Sequence, residues 1–229
     1  MAALHTLLTF VFFSFVVLDH SGRFVNAQAL IPPARFDGFV CKNLLSTGMD
    51  SIIIEAFLDP TSSPEQCYRN RPDKHGLTRI PDAHVIQSIF PSNCCYHDNA
   101  FVSSRALHIV NKLKASATYD LLELFFKRQE GFYSQATFNM SKATIVSQIV
   151  NLATTVVGNS YQSAVASGFT DRKTDLMTRV SFKYGCSRGV FGAPFFFVNG
   201  FALADGDSTM DYAKWRSIID PLLKEQAMG

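Results

Sequence analysis

The sequence predicts an α/β fold in which strands flank a long block of helices. A short, β-branched and mostly apolar run at residues 51–58 is typical of a buried central strand. Amphipathic helical segments follow between residues 98 and 184. Near the C-terminus, Asn199-Gly200 separates two apolar runs, which is the strongest short-range signal of a β-hairpin. The order of strand, strand, helical block, hairpin and helix indicates one mixed domain.

The chain begins with an apolar segment that we interpret as a secretory signal peptide of residues 1–27. Its apolar core, residues 7–18, is shorter than a membrane span, and Val25-Asn26-Ala27 places compact residues where signal peptidase reads. The alternatives are a signal anchor or a buried N-terminal helix. A glycosylation sequon at Asn139 agrees with secretion. We therefore expect a soluble mature chain of residues 28–229, in the endoplasmic reticulum lumen, the extracellular space or the vacuole.

Composition excludes several classes of protein. The 229 residues carry 21 basic and 19 acidic side chains, so no broad positive field favours nucleic acid as a partner. Thirteen glycines and nine prolines are too few for a collagen-like or low-complexity chain. A folded domain with an ordinary core is the expectation.

The elements between the first strand and the hairpin are predicted from periodicity and from capping residues. A second strand is expected around residues 85–86, closed by Pro91, and a first helix at 98–113 with Asp98 as its cap. Ser141 opens a long helix that ends at Gly158. Further helical segments are predicted at residues 121–126, 161–166 and 171–184.

The C-terminal part is predicted to return to strands and then to end in a helix. Residues 195–198 and 201–204 form the two arms of the hairpin. Residues 208–211 resemble a capping box, and the apolar positions after them mark a helix. Because proline breaks the helical hydrogen-bond pattern, we expect this helix to be interrupted or to end near Pro221.

Two segments resemble proteins of the DsbA-like family. Residues 188–200 match its Gly-x-Pro-x-φ-Phe-Val-Asn-Gly pattern, and residues 53–60 are similar to the strand that leads into its active-site helix. The resemblance implies a thioredoxin-like fold with a helical-domain insertion at about residues 97–186. It also implies that Pro194 is the cis-proline facing the active site, and that Ala193 and Pro194 bind substrate.

The active-site positions depart from that family. Aligned from Asp59-Pro60, Ser62 stands where the attacking cysteine would be and Glu65 where the resolving cysteine would be. Neither residue exchanges disulfides, because that chemistry needs a thiolate. We therefore expect a redox-inactive site. An acid–base pair of Asp59 and Glu65 beside Ser62 is a weaker interpretation, because paired carboxylates near a helix start are more often a cap and a solvated face.

The five cysteines leave the disulfide framework open. An odd number means that at least one is unpaired, modified or bonded to another chain. Cys67, five residues beyond Ser62, is the candidate thiol if the protein is an enzyme, although a structural disulfide is the simpler interpretation. Cys186 precedes the proline segment, and the resemblance places it near the site. All five are disulfide candidates: Cys41, Cys67, Cys94, Cys95 and Cys186.

A metal centre is not expected. Thiolates and imidazoles ligate zinc, but the spacing of Cys94, Cys95, His97 and His108 fits no standard structural site.

The leading hypothesis is a secretory-pathway protein that has lost the dithiol centre and binds extended polypeptide, or a small partner, without catalysis. One alternative is a thiol–disulfide oxidoreductase that uses Cys67. Another alternative is a glutathione-binding, transferase-like protein with Ser62 at the helix start. Glutathione is the ligand that this alternative implies, and no cofactor is expected under the other hypotheses.

Overall fold

A computed structural model describes residues 37–40, 52–61, 83–89, 98–203 and 210–226 of the chain. In this part the strands form one five-stranded sheet with the order β1-β3-β2-β4-β5. The predicted α/β class is confirmed. The strands are β1 (Phe39–Val40), β2 (Ile52–Leu58), β3 (Ala83–Ile89), β4 (Phe195–Val198) and β5 (Phe201–Ala202).

The central strand is β2, as its apolar sequence predicts. It pairs in parallel with β3, with Ile54 opposite Val85, and antiparallel with β4, with Phe57 opposite Phe195. β1 pairs antiparallel with β3 at one edge and β5 pairs antiparallel with β4 at the other. The two-residue strand β1 was not predicted, because so short a run carries no periodicity.

The two faces of β2 enter different cores because successive side chains alternate across a strand. Ile52, Ile54, Ala56 and Leu58 contribute to the larger core, which also contains the helical block. Phe57 lies on the opposite face in a smaller aromatic cluster with Tyr184, Val190 and Phe197, with Phe182 and Phe195 packed against it.

The predicted helical block lies between β3 and β4. Ser141 accepts a hydrogen bond from the Thr144 amide at the start of the longest predicted helix, and Gly158 follows its last residue with φ of +109°. The α-helices of the block are α1 (Ala100–Leu113), α2 (Thr118–Arg128), α3 (Ser134–Thr137), α4 (Lys142–Val157), α5 (Gln162–Gly168) and α6 (Arg172–Ser187).

The predicted start of α1 is wrong by one residue. Asn99, not Asp98, occupies the N-cap position, and its side chain makes no capping hydrogen bond. Its amide instead donates to the Phe132 carbonyl and to Thr137 Oγ1, both at 2.8 Å. The buried Asn99 thus joins the start of α1 to the α2–α3 connection, through Phe132, and to α3, through Thr137. Local capping rules do not predict this tertiary role.

The hairpin forms at Asn199-Gly200 as predicted. Its second arm, predicted at residues 201–204, is a strand over Phe201–Ala202, and Ala204 lies outside the described residues. Asn199 and Gly200 have φ of +48° and +86°, the backbone conformation that the two central residues of a type I′ turn require. Asn199 also extends the sheet, because Ile53 N donates to its Oδ1 and its own amide donates to the Ile53 carbonyl, both at 2.8 Å.

The C-terminal helix, α7 (Tyr212–Gln226), runs through Pro221 without interruption. The prediction of a break was wrong because apolar residues on both sides of the proline pack on the core: Trp215 and Ile219 before it, Leu222 and Leu223 after it. Asp211 caps the helix, since its Oδ1 accepts from the Lys214 amide at 2.8 Å. Of the predicted capping box, Ser208 lies outside the described residues.

A buried polar cluster connects α1, α6 and the residue that leads into β1. His108 Nε2 and Ser181 Oγ lie 3.1 Å apart, and Ser181 also hydrogen-bonds the Asp37 carboxyl group. Burial lowers the pKa of His108 to about 4 and raises the pKa of Asp37. The ring of His108 also packs 5.1 Å from that of Phe39. His108 is therefore neutral and buried in the interior.

The sequence also makes predictions about membranes and metals. In the described ranges no helix has both the length and the apolar character needed to span a bilayer. The predicted signal peptide, residues 1–27, lies outside those ranges, as do Cys94, Cys95 and His97. No metal-binding group of His, Cys, Asp and Glu occurs among the described residues.

Candidate functional site

The carboxyl end of β2 is closed by a buried turn. Asp59 Oδ1 accepts hydrogen bonds from both the amide and the hydroxyl of Thr61, each at 2.8 Å. Asp59, Pro60 and Thr61 are all buried. A side chain that bonds the backbone two residues ahead fixes the direction in which the chain leaves a strand. Ser62 is joined directly to this fixed turn.

The loop before β4 lies beside the same end of β2. Because Phe57 pairs with Phe195 in an antiparallel register, the residues that precede Phe195 run past the carboxyl end of β2. The Ala193–Pro194 peptide bond is cis, as the family resemblance implies. Pro194 is buried and Ala193 is half-buried. The sheet thus brings both predicted binding residues to the strand end that precedes Ser62.

The loop holds one aromatic side chain out in solvent. Val190 is buried and its amide donates to the Gly185 carbonyl at 3.0 Å, while Pro194 is buried at the other end. Between these anchors Phe191 is 82% exposed. Its ring stands edge-on to Phe195, 5.5 Å between centroids. An apolar ring displayed from a loop fixed at both ends is available for contact with a partner.

Phe191 is the outermost member of a continuous row of aromatic rings. From Phe195 the row continues to Phe197 at 5.2 Å, to Phe57 at 5.6 Å and to Tyr184 at 6.0 Å. The first two of these contacts are tilted or edge-on and the last is stacked, and all have separations that favour aromatic pairs. The row leads from the solvent into the smaller core, so the base of the exposed ring is rigidly supported.

A buried carboxylate lies beneath this row. Glu55 in β2 is fully buried and accepts hydrogen bonds from Tyr184 Oη at 2.5 Å and from Arg188 Nη2 at 2.8 Å. The Arg188 guanidinium stacks 4.3 Å from the Phe197 ring and reaches the Gly200 carbonyl at 3.4 Å. Burial and the neighbouring Glu55 carboxylate raise the pKa of Tyr184. Together these contacts tie α6 and the hairpin to the central strand.

The fold can be compared with solved structures. A candidate protein-disulfide isomerase from Pseudomonas syringae matches with a TM-score of 0.60 at 19% identity, over 73% of this chain and 93% of that one. BdbD from Bacillus subtilis matches with a TM-score of 0.59 at 12% identity, over 76% and 88%. MdbA from Corynebacterium diphtheriae, a thiol-disulfide oxidoreductase, gives 0.54 at 14% identity, over 71% and 82%.

The chain has the DsbA-like thioredoxin fold. No protein-family model and no curated protein matches its sequence. TM-scores of 0.54–0.60 establish the fold, whereas identities of 12–19% carry no information on the chemistry of the site.

The predicted site residues fall into two groups on this DsbA-like fold. Ala193 and Pro194 meet the end of β2, Cys186 is exposed near the end of α6, and Asn139 is exposed in the turn before α4, where a glycan would be accessible. The others lie outside the described residues: Ser62, Glu65, Cys41, Cys67, Cys94 and Cys95.

Sequence reasoning missed the support of the site. Glu55, Tyr184 and Arg188 were not singled out, although a glutamate inside the apolar run of residues 52–58 carries a signal. A carboxylate on a central strand is buried, and a buried charge needs a partner of opposite charge or strong hydrogen-bond donors. Those partners lie 129 and 133 residues further along the chain.

Proposed function

We propose that this DsbA-like protein acts in the secretory pathway and binds extended polypeptide without catalysis, with Phe191 as the apolar anchor of the binding surface. The observation that carries the proposal is the 82% exposure of Phe191 on a loop fixed at Val190 and Pro194. Apolar side chains of an unfolded segment would gain about 1.5–3 kcal/mol from burial against such a ring.

The sequence that follows the buried turn at Asp59 supports the non-catalytic part of the proposal. Ser62 and Glu65 occupy the positions that the family resemblance gives to the attacking and resolving cysteines. A serine hydroxyl forms no disulfide, so a polypeptide held beside it would be bound and released unchanged. The solved structures named for disulfide chemistry share the scaffold with this chain.

The experiment measures the affinity of the full chain for a labelled, permanently unfolded probe, reduced and carboxymethylated lactalbumin, by fluorescence anisotropy. Saturable binding is expected, and Phe191→Ser should weaken it by at least about tenfold, because 1.5 kcal/mol, the lower end of the range above, is about tenfold in affinity. Phe138→Ser is the matched control, because Phe138 is 85% exposed and lies in the helical block. Equal losses in the two variants, or no binding by the wild type, would contradict the proposal.

A second candidate function is thiol–disulfide exchange by Cys67. It is favoured by the fold neighbours, one of which is named as a thiol-disulfide oxidoreductase. Reduction of insulin disulfides in the presence of glutathione tests it. The leading proposal expects no activity above the uncatalysed rate. Activity that disappears in Cys67→Ser and persists in Cys186→Ser would establish the enzyme instead.

A further inference from the structure

A cavity of about 410 Å³ opens in the helical block between α4 and the 3₁₀ helix Gln129–Phe132 that follows α2. Sites for small molecules have volumes of about 300–1,000 Å³. None of the described lining residues belongs to the loop of residues 189–195. The cavity is therefore a feature of the helical block, independent of the polypeptide-binding proposal.

The walls of the cavity follow from helix geometry. Gln148, Asn151 and Thr155 lie on one exposed face of α4, where residues three, four and seven positions apart align. On the opposite wall Gly131 has no side chain, and a Cβ built there would meet no atom within 4 Å. Because Gly131 has no side chain, the space between the two walls is not filled.

The floor of the cavity is apolar and well packed. Phe132 and Leu152 line it and are 7% and 6% exposed. The Phe132 ring packs edge-on against Phe125, 5.6 Å between centroids. A ligand that enters would place an apolar body on these two side chains and would displace water from them.

The rim of the cavity is polar and carries positive charge. Among the described lining residues Arg128 is the one with a charge, and its guanidinium has no ion-pair partner in the described part of the chain. The side-chain amide of Asn151 adds hydrogen-bond donors, and that of Gln148, which donates one N–H to Met140 Sδ at 3.6 Å, has a second N–H. A planar guanidinium with free donors matches the two oxygens of a carboxylate.

We propose that this cavity binds a small organic carboxylate with an apolar body, which pairs its carboxylate with Arg128 and packs its body on Phe132 and Leu152. The positive charge of Arg128 favours an anion. The apolar floor favours a ligand with several carbon atoms over a small inorganic ion. The amide side chains of α4 complete the hydrogen bonds of the carboxylate.

The test titrates octanoate into the ¹⁵N-labelled full chain and follows amide shifts. Saturable shifts are expected at Gly131, Gln148 and Asn151. Arg128→Gln should weaken octanoate binding by up to about fivefold, the effect expected from losing an ion pair at a solvent-exposed arginine. Asn151→Asp keeps the shape of the side chain and adds a negative charge that repels the octanoate carboxylate. It should weaken octanoate binding by a similar factor.

Two controls test whether binding depends on the position of Arg128 and on the carboxylate of the ligand. Arg172→Gln removes an exposed arginine at the start of α6 and should leave the affinity unchanged. Octanol, which lacks the carboxylate, should bind no more weakly to Arg128→Gln than to the wild type. Octanoate binding that is insensitive to Arg128→Gln, shifts confined to another surface, or no saturation would overturn the proposal.

Discussion

The carboxylate of Glu55 and the guanidinium of Arg188 lie 2.8 Å apart, one fully buried in the central strand and the other directly after α6. The pair joins the middle of the sheet to the residue from which the exposed loop begins. A buried charge that loses its partner is costly, so this contact makes the position of the loop depend on the strand. The account therefore predicts that stability and loop position are coupled.

Removal of the Glu55 charge should destabilise the protein. Glu55→Gln leaves Arg188 without its carboxylate, and because that side chain is 29% exposed we expect a loss of about 2–3 kcal/mol in the free energy of unfolding. Urea denaturation followed by the emission of Trp215, the single tryptophan, measures it. The double variant Glu55→Met/Arg188→Met should lose less stability than the sum of the losses in Glu55→Met and Arg188→Met, each measured alone. Strict additivity would show that the pair is not coupled.

The Tyr184 hydroxyl should contribute separately. Tyr184→Phe keeps the ring in the aromatic row and removes one of the two hydrogen bonds to the buried Glu55 carboxylate. Loss of a donor to a buried charged group costs about 1–3 kcal/mol. The same urea measurement applies. Tyr119→Phe is the control, since its hydroxyl donates to the Phe39 carbonyl, a neutral acceptor, and should cost less.

Gly168 at the end of α5 should tolerate no side chain. A Cβ there would lie 2.7–3.0 Å from three side-chain carbons of Ile109, which is 2% exposed and enclosed by the larger core. Overpacking of this kind costs about 1–3 kcal/mol. Gly168→Ala should therefore lower the thermal midpoint measured by circular dichroism. Gly131→Ala, where a Cβ meets nothing within 4 Å, should leave the midpoint nearly unchanged.

His108 should make the protein sensitive to acid. Its pKa is about 4 in the folded state, below the ordinary 6.5, so the unfolded chain binds more protons between these values. Stability should fall as the pH decreases from about 6.5 to about 4, by about 3 kcal/mol in total. Asp37 acts in the opposite direction, because burial raises its pKa and its folded form holds the proton longer.

The contribution of His108 is isolated by comparison with His108→Asn. The difference in unfolding free energy between wild type and variant should shrink steadily below pH 6.5. A difference that stays constant between pH 7 and pH 5 would contradict a buried, neutral His108. Both proteins retain Asp37, so its opposing effect is common to the two curves.

Local signals in the sequence predicted much of the fold. Asn199-Gly200 specifies its turn because few residue pairs adopt two consecutive positive φ values, and Ser141 and Gly158 bracket α4 by capping chemistry that is complete within a few residues. The family resemblance placed the Ala193–Pro194 bond beside the end of β2. These features depend on neighbours along the chain or on a short pattern.

Features that depend on distant partners could not be predicted. Asn99 displaces Asp98 from the start of α1 because its bonding partners are Phe132 and Thr137, and α7 continues through Pro221 because the core holds the residues on both sides. The exposure of Phe191 also depends on tertiary structure, because Val190 and Pro194 are fixed by other elements. Periodicity and propensity carry no information on such contacts.

The measurement that tests the central claim most directly is hydrogen–deuterium exchange of the full chain with and without saturating unfolded lactalbumin. If polypeptide binds beside Phe191, amides in residues 189–195 should gain protection. Those of residues 199–203, in the turn at the far end of β4 and in β5, and those of α4 should not change. Protection confined to β5 or to the helical block, or no protection at a saturating concentration, would contradict the account.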